Sequence, residues 1–414
     1  MSDYKAIVIG GGPAGLAAAL AAANEGAKVL IIEREARLGG ILKQCVHDGF
    51  GVIRFGEKLS GCEYAQRFIN GVKQNANIEV RLQTFVIQIE KTEEFRITAT
   101  SARGIEVFTA ENLVLANGCR ERTARQVNIH GTRPAGVMTA GVAQNYVNLQ
   151  GALPTKRCVI LGSGDIGLIM ARRLTLEGAQ VVGVYEAKST PSGLTRNISQ
   201  CLTDFNIPLH LSKTVKRVFG NNRVEAVEIC DVNDKMEYID GTEEIIACDA
   251  LIISVGLIPE NELAESLHIQ IDPRTKGPLV DQNMMTSLDG VYSVGNALHV
   301  HDLVDYVSET AEIAGKALTQ PKKQREWTDI QHNGFLYLVP QKLDLAALAD
   351  KTVFYFRTAI PLASAILKAS VDGEVVFTKK YAHLKPPEME KVEVPLQLQQ
   401  GQKVVFSLED GEVR

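Results

Sequence analysis

At 414 residues, with 45% hydrophobic and 22% charged side chains, the chain is long enough for two or three buried cores and has the balance of an ordinary globular protein. A formal net charge of -5 gives no reason to expect nucleic acid as a partner, and no apolar run reaches the length of a membrane span. The seven cysteines are odd in number and scattered, with no CxxC pair of metal type. That pattern suits a reducing cytoplasm and predicts no metal site.

The first predicted strand, Lys5-Ala6-Ile7-Val8-Ile9, runs into Gly10-Gly11-Gly12-Pro13-Ala14-Gly15 and an apolar helix. Glycines so spaced allow a tight turn, let backbone approach a pyrophosphate and pack helix on strand; the helix start then offers free N–H groups to phosphate. The apolar stretch at 16–23 reads as buried helix and not as a signal peptide, because no basic segment or cleavage site frames it. A second strand, Lys28-Val29-Leu30-Ile31-Ile32, ends in Glu33, placed to accept hydrogen bonds from ribose hydroxyls. Strands are predicted at 79–88, 96–100 and 106–109, and the apolar Leu113-Val114-Leu115-Ala116-Asn117-Gly118 closes this part.

The pattern then repeats. Cys158-Val159-Ile160-Leu161 leads into Gly162-Ser163-Gly164-Asp165-Ile166-Gly167, and the strand Val181-Val182-Gly183-Val184-Tyr185 ends in Glu186. A carboxylate there repels a 2′-phosphate and favours NAD over NADP, with Lys188 acting against it. The alternative for either glutamate is a solvated strand end. Another apolar strand ends at Val255-Gly256, and Gly290-Val291-Tyr292-Ser293-Val294-Gly295-Asn296 returns before a helix predicted at about 304–318. The polar Gln320-Pro321-Lys322-Lys323-Gln324-Arg325 reads as a solvated linker. Short apolar alternations at 335–339, 353–357, 374–378, 391–398 and 403–408 predict a small all-β tail. Two dinucleotide fingerprints in one chain imply an electron relay between two cofactors.

The stretches Leu38-Gly39-Gly40-Ile41-Leu42-Lys43-Gln44-Cys45-Val46-His47-Asp48-Gly49-Phe50-Gly51, Arg133-Pro134-Ala135-Gly136-Val137-Met138-Thr139-Ala140-Gly141, Ser254-Val255-Gly256-Leu257-Ile258-Pro259-Glu260-Asn261 and Gly295-Asn296-Ala297-Leu298-His299-Val300-His301-Asp302-Leu303-Val304-Asp305 carry a resemblance. Residues 1 to about 320 resemble the pyridine-nucleotide-disulfide oxidoreductase superfamily with a thioredoxin-reductase-like core. Within it they resemble the NAD/FAD-dependent oxidoreductases associated with FAD-dependent glycerol-3-phosphate dehydrogenases, and more distantly the amine- and opine-oxidase and hydrogen-cyanide-synthase flavin subunits. The resemblance implies an α/β fold of two Rossmann-like dinucleotide-binding domains, the NAD domain inserted in the FAD domain, plus a small C-terminal all-β domain. The expected boundaries are 1–121 with 256–320 for FAD, 122–255 for NAD and 326–414 for the β domain.

It further implies FAD at Gly10, Gly12, Pro13, Ala14 and Gly15, with its ribose on Glu33 and Gly39-Gly40 passing close by. Gly118 would form the turn under the adenine side, and Gly295-Asn296 would lie against the ribityl chain, where the superfamily usually has Asp. NAD would bind at Gly162, Gly164, Asp165, Ile166 and Gly167 with Glu186.

A disulfide reductase needs two cysteines beside its flavin. After Gly40 this chain offers only Cys45, read as a packed thiol rather than as the partner of Cys62 in a working dithiol. Electrons must therefore leave by another route, and a partner subunit is the simplest. His299 and His301 either polarise or protonate the flavin's pyrimidine edge or serve helix entry, with Asp302 as N-cap; His47-Asp48 either lines that edge or caps a turn. No catalytic triad or zinc spacing appears. The expectation is an FAD-dependent oxidoreductase exchanging hydride with NAD(H). It would serve as the electron-transfer subunit of a heteromeric complex oxidising glycerol 3-phosphate, with a partner flavoprotein dehydrogenase and a small cysteine-bearing subunit. The alternatives are a stand-alone NADH oxidase or dye reductase, a subunit of an amine or opine oxidase, and a non-catalytic flavin-bearing scaffold. The tail is read as a docking or self-association surface.

Overall fold

The computed structural model describes residues 2–321 and 323–411. Lys322 of the expected linker, Met1 and the last three positions of the expected tail lie outside the described residues. The chain up to Cys119, resuming at Pro259, forms one compact unit, and Arg120–Ile258 forms another.

In the first unit a sheet runs in the order Ile78–Arg81, Val29–Ile32, Tyr4–Ile9, Gly104–Leu115, Phe95–Ser101, Phe85–Lys91, with Val291–Ser293 joined in parallel to Gly104–Leu115. Its central strands are apolar without alternation because both faces are covered, as parallel sheets require. The sequence reads 106–109 and 113–115 as separate strands, whereas Gly104–Leu115 is one continuous strand of 12 residues. Its first half pairs antiparallel with Phe95–Ser101 and its second half parallel with Tyr4–Ile9. The polar Glu111-Asn112 step interrupts the apolar pattern, yet Asn112 is buried there, and its Nδ2 donates to the Lys5 carbonyl at 3.1 Å. Conversely, the single strand expected at 79–88 is broken, with Gln83 at φ 50° between its two halves.

The helices Pro13–Asn24 and Val304–Ala317 cover one face, brought close by small residues. A Cβ on Gly315 would stand 2.4 Å from the Ala18 carbonyl, so no larger side chain fits that crossing. The second unit repeats the scheme on a parallel sheet ordered Val137–Thr139, Ala250–Ile253, Arg157–Leu161, Gln180–Glu186, Leu209–Leu211. A four-stranded sheet of His130–Gly131, Lys213–Phe219, Ala226–Asp231 and Glu244–Ala247 accompanies it. The protein is thus a two-domain Rossmann-like α/β structure with added C-terminal sheets.

The tail builds a five-stranded and a three-stranded sheet around Phe354, Phe356, Leu367 and Phe406. Three of its strands, Trp327–Asn333, Lys342–Asp344 and Ala365–Val371, escape the sequence reading. Trp327–Asn333 is polar and follows directly on the expected linker, and it pairs in parallel with residues 404–407 from the far end of the tail. Only that distant partner makes it a strand. The tail shares the first unit's compact body and is fastened along Val280, whose carbonyl accepts from Gln341 N at 3.2 Å and Lys342 N at 3.3 Å.

Asp281, next to that seam, is fully buried; Oδ1 accepts from Asn283 N at 2.9 Å and Met285 N at 3.1 Å, while Oδ2 accepts no hydrogen bond and faces Arg325 Nη1 at 3.9 Å. Burial pushes its carboxyl up to about 6. Below the ordinary carboxyl range both folded and unfolded chains carry the proton; as pH rises through about 6 the folded chain must bury a charge and stability is lost. Asp281→Asn keeps the Oδ1 acceptor without that cost. Thermal melts should show the variant more stable than wild type at pH 7.5, by about 2–3 kcal/mol at most, and equal to it near pH 4. Equal melts at both pH values would refute this.

Candidate functional site

Each unit carries one glycine turn at the carboxyl ends of its parallel strands, where open α/β sheets bind ligands. At the first, Gly10 has φ 109°, and a Cβ there would lie 2.3 Å from the Ala116 carbonyl. A Cβ on Gly15 would meet the Gly10 carbonyl at 1.8 Å, so this glycine sets the seating of the helix on the strand. Gly40 approaches Gly12 so closely that its Cβ would sit 2.8 Å from the Gly12 Cα. Gly39 N donates to the Gly11 carbonyl at 2.8 Å, which brings the Gly39-Gly40 segment across the mouth of the turn. Pro13 and Ala14 open the helix, whose first amides have no intrahelical acceptor. Glu33 is buried behind the turn: Oε2 accepts from Gly11 N at 2.7 Å and Oε1 from Glu35 N at 2.8 Å.

The second turn repeats the buried carboxylate and its two backbone hydrogen bonds. Glu186 is buried, Oε2 accepting from Ser163 N at 3.0 Å and Oε1 from Lys188 N at 3.1 Å. Gly162 packs against the Ser254 carbonyl as Gly10 does against Ala116, Gly164 has room beside it, and Gly167 backs onto the Gly162 carbonyl. Two residues escape the sequence reading. Ser163 Oγ donates to Glu186 Oε2 at 2.6 Å, and Ser192 Oγ donates to the same oxygen at 3.2 Å. Ser163 occupies a variable position of the fingerprint, and Ser192 comes from a segment without periodicity, so neither carries a signal. Asp165, expected at the cofactor, turns its carboxylate to Leu194 N at 2.9 Å and Asn197 Nδ2 at 2.7 Å, while Ile166 is half-buried in the first helical turn. Beside Glu186 lies a polar hollow of about 200 Å³ lined by Lys188, Ser189, Thr190, Ser212, Asn233 and Asp234.

In the first unit, Gly295 has φ 64° and sits against Ala14 of the opening helix. Asn296 Oδ1 accepts from His301 N at 3.1 Å, and its Nδ2 lies 3.6 Å from Cys119 Sγ as a donor. A carboxylate would keep the first bond and lose the second, which is a physical reason for asparagine at this position. Gly118, just before Cys119, has φ 79° with open space beside it. His299 and His301 stack at 3.9 Å between ring centroids, and His301 Nδ1 donates to the His299 carbonyl at 2.8 Å. Both ring nitrogens of His299 and Nε2 of His301 are buried without a hydrogen-bond partner. Burial holds the His299 imidazole well below the usual histidine range and His301 at about 3. The pair is neutral at physiological pH. Asp302 is not the N-cap of Val304–Ala317; that position is Leu303, and the Asp302 carboxylate pairs with Arg357. His47 and Asp48 lead into a two-stranded ribbon, Asp48–Phe50 with Leu59–Ser60, and the His47 ring lies 5.1 Å from that of Phe50.

Cys45 is buried and its thiol is pushed up to about 12 by burial. The half-buried Cys62 donates to the Lys43 carbonyl at 3.1 Å, its thiol also raised by burial. All seven cysteines are free thiols, and among the described residues no group of side chains could hold a metal ion. No helix among them is long and apolar enough to cross a membrane.

The glycine turns with their buried carboxylates, the open helix starts and the orphaned polar atoms Asn117 Oδ1, His299 Nδ1 and Nε2 and His301 Nε2 fit dinucleotide cofactors. The sequence profile described as pyridine nucleotide-disulphide oxidoreductase matches residues 4–317. The chain belongs to this family. It is an oxidoreductase and a flavoprotein, working with FAD and a nicotinamide dinucleotide. The hydrogen cyanide synthase subunit HcnB of Pseudomonas protegens is 26% identical over 281 residues, 64% of this chain and 59% of that protein. An opine oxidase subunit of Agrobacterium tumefaciens is 23% identical over 338 residues, 76% of this chain. The chain thus spans 59% and 65% of the length of these two relatives. Thioredoxin reductase of T. acidophilum has the same fold, with a TM-score of 0.62 at 22% identity over 77% of this chain and 98% of that one.

A thiol raised to about 12 is roughly one part in ten thousand thiolate at pH 8. Alkylation of the native protein at pH 8, read by peptide mass spectrometry, should therefore modify Cys62 well before Cys45. Equal rates would show that Cys45 is not the sealed thiol described here.

Proposed function

We propose that this chain exchanges hydride between NAD(H) and bound FAD without an internal redox disulfide, as the NAD-linked subunit of a heteromeric dehydrogenase whose partner oxidises glycerol 3-phosphate to dihydroxyacetone phosphate. The observation that carries the reading is the twice-repeated turn, with Glu33 behind Gly11 and Glu186 behind Ser163. Bound, the two cofactors would supply hydride exchange, in which two electrons and one proton move together and the second proton of the reduced flavin is released to water when NAD is reduced, or taken from it when NADH is oxidised. Gly10, Gly12, Pro13, Ala14 and Gly15 with Glu33 hold FAD, and Gly39-Gly40, Gly118, Gly295 and Asn296 border it. Gly162, Gly164 and Gly167 with Glu186 hold NAD, Asp165 fixing the neighbouring segment through Leu194 and Asn197. Both helix starts point free amides at pyrophosphate. Asp234 lines the same hollow as Lys188 and adds a carboxylate against a 2′-phosphate there.

The reading without a dithiol route rests on Cys45 being a buried free thiol raised by burial, with Cys62 Sγ beside its carbonyl at 4.0 Å and no bond between the two sulfurs. Electrons then pass through a partner flavoprotein and a small cysteine-bearing subunit. That two relatives are named as subunits supports the heteromeric part. The glycerol-phosphate part rests on the long sequence stretches around Gly40, Gly136 and His299. A partner that oxidises an amine or opine is the second reading, favoured by the opine oxidase relative.

Anaerobic NADH should bleach a yellow protein that releases FAD on denaturation. NADPH should be about tenfold to a hundredfold poorer, since like-charge contact costs about 1.4 kcal/mol or more; equal rates would remove the role given to Glu186. The double variant Cys45→Ser with Cys62→Ser should keep NADH–dye turnover, and its loss would refute the disulfide-free route. Affinity purification from the native cell should recover a glycerol-3-phosphate dehydrogenase. An amine- or opine-oxidising partner would replace that substrate and leave the flavin–NAD reading standing.

A further inference from the structure

The tail is attached to the first unit at the loop that follows Gly295-Asn296. Arg357, whose side chain is only 12% exposed, reaches from the strand Thr352–Thr358 to that loop. Its Nη2 pairs with Asp302 and lies 3.5 Å from the Val300 carbonyl; its Nε donates to Tyr337 Oη at 2.9 Å, and Nη1 donates to the Pro387 carbonyl. The second Asp302 oxygen accepts from Met389 N at 2.6 Å, so the tail grips the loop through both carboxylate oxygens. The ring of Tyr337 lies 5.6 Å from that of His299, and the ring of Tyr355 lies 6.1 Å from both histidines. Tyr355 is fixed in turn, its hydroxyl donating at 2.9 Å to Glu309, which also pairs with Lys391.

The rings of Tyr337 and Tyr355 thus pack against a histidine pair that is buried, with three ring nitrogens lacking a hydrogen-bond partner. Three such atoms left buried and unpaired are costly, and a fold sustains them when a ligand supplies the partners. The planar guanidinium satisfies three acceptors and one carboxylate from a single fixed plane, which an ammonium cannot do.

We propose that the C-terminal β region is a wall of the flavin site, in which Arg357 clamps the loop of Val300 and Asp302 and so aims His299 and His301 at the bound flavin. This rests on the reading that FAD occupies the first glycine turn. Arg357 is thus a positioning residue, acting through the two neutral imidazoles. Desolvation and the charge of Arg357 both keep them in that state. The tail's contact with the redox centre is then intramolecular.

The test uses the full-length holoprotein, with FAD affinity, flavin midpoint potential, visible absorption and the kcat–KM split for NADH as readouts. Arg357→Gln should weaken the preference for reduced over oxidised flavin about tenfold, a fall of about 30 mV for two electrons. It should also shift the flavin absorption band and lower kcat with KM for NADH unchanged, and Arg357→Lys should recover part of each effect. Tyr355→Phe, which loosens the tail at Glu309 and keeps the ring, should lower the melting temperature without moving the potential. If Arg357→Gln does not fold, Asp302→Asn cuts the same clamp from the other side and should give the same fall. Variants that melt lower with potential and absorption unmoved would overturn the clamp and leave the functional reading intact. Wild-type protein that takes up no FAD would overturn both.

Discussion

A carboxylate buried behind a glycine turn is the interaction on which both nucleotide sites depend. An ionised group is tolerated in such a place only when hydrogen bonds replace its hydration. Glu33 and Glu186 meet that condition in the same way, one oxygen on the middle amide of the turn and the other on the amide two residues further along. The Oε2 bond ties the end of one strand to the turn after another, so the turn is held in shape before any ligand arrives. The glycines then follow from space: Gly10 and Gly162 have a carbonyl where a Cβ would stand. The two sites differ in the hydroxyls of Ser163 and Ser192, which add two donors to Glu186 that Glu33 lacks.

Preorganisation of this kind extends into the redox end of the first unit. Asn296 takes one hydrogen bond from the histidine loop and points its amide at Cys119, linking the end of one strand to the loop after another. The loop is held from the far side by strands that begin over fifty residues later in the chain. A charged pair shielded from water, Arg357 with Asp302, is worth more as a constraint on geometry than as stabilisation, because desolvation offsets much of its attraction. Neutral imidazoles suit a site where an approaching cofactor must find hydrogen-bonding groups without a competing positive charge.

The thiols bear on how electrons leave. Cys45 lies on the segment just after Gly40, where this family's name leads one to look for a disulfide, and the backbone of Gly61 packs directly on its Cβ. Sealed in that way, the sulfur fills volume as a small apolar group does. The chain keeps the family's frame for two dinucleotides.

What the sequence by itself determined is local and repeated: both glycine turns, the strands before them, the carboxylates after them and five of the tail's strands. These depend on φ requirements, side-chain periodicity and spacing within about thirty residues, all of which a linear reading can see. Tertiary structure decided the rest. Gly104–Leu115 is one strand because it has different partners along its length, and Trp327–Asn333 is a strand because residues 404–407 lie beside it. Asp302 looks like a helix cap in sequence and is a clamp in space, because an arginine 55 positions away offers a charged fork that the helix amides cannot match. Contacts between distant segments carry no periodic trace, so the roles of Arg357, Ser192 and the histidine wall became visible only once the chain was folded.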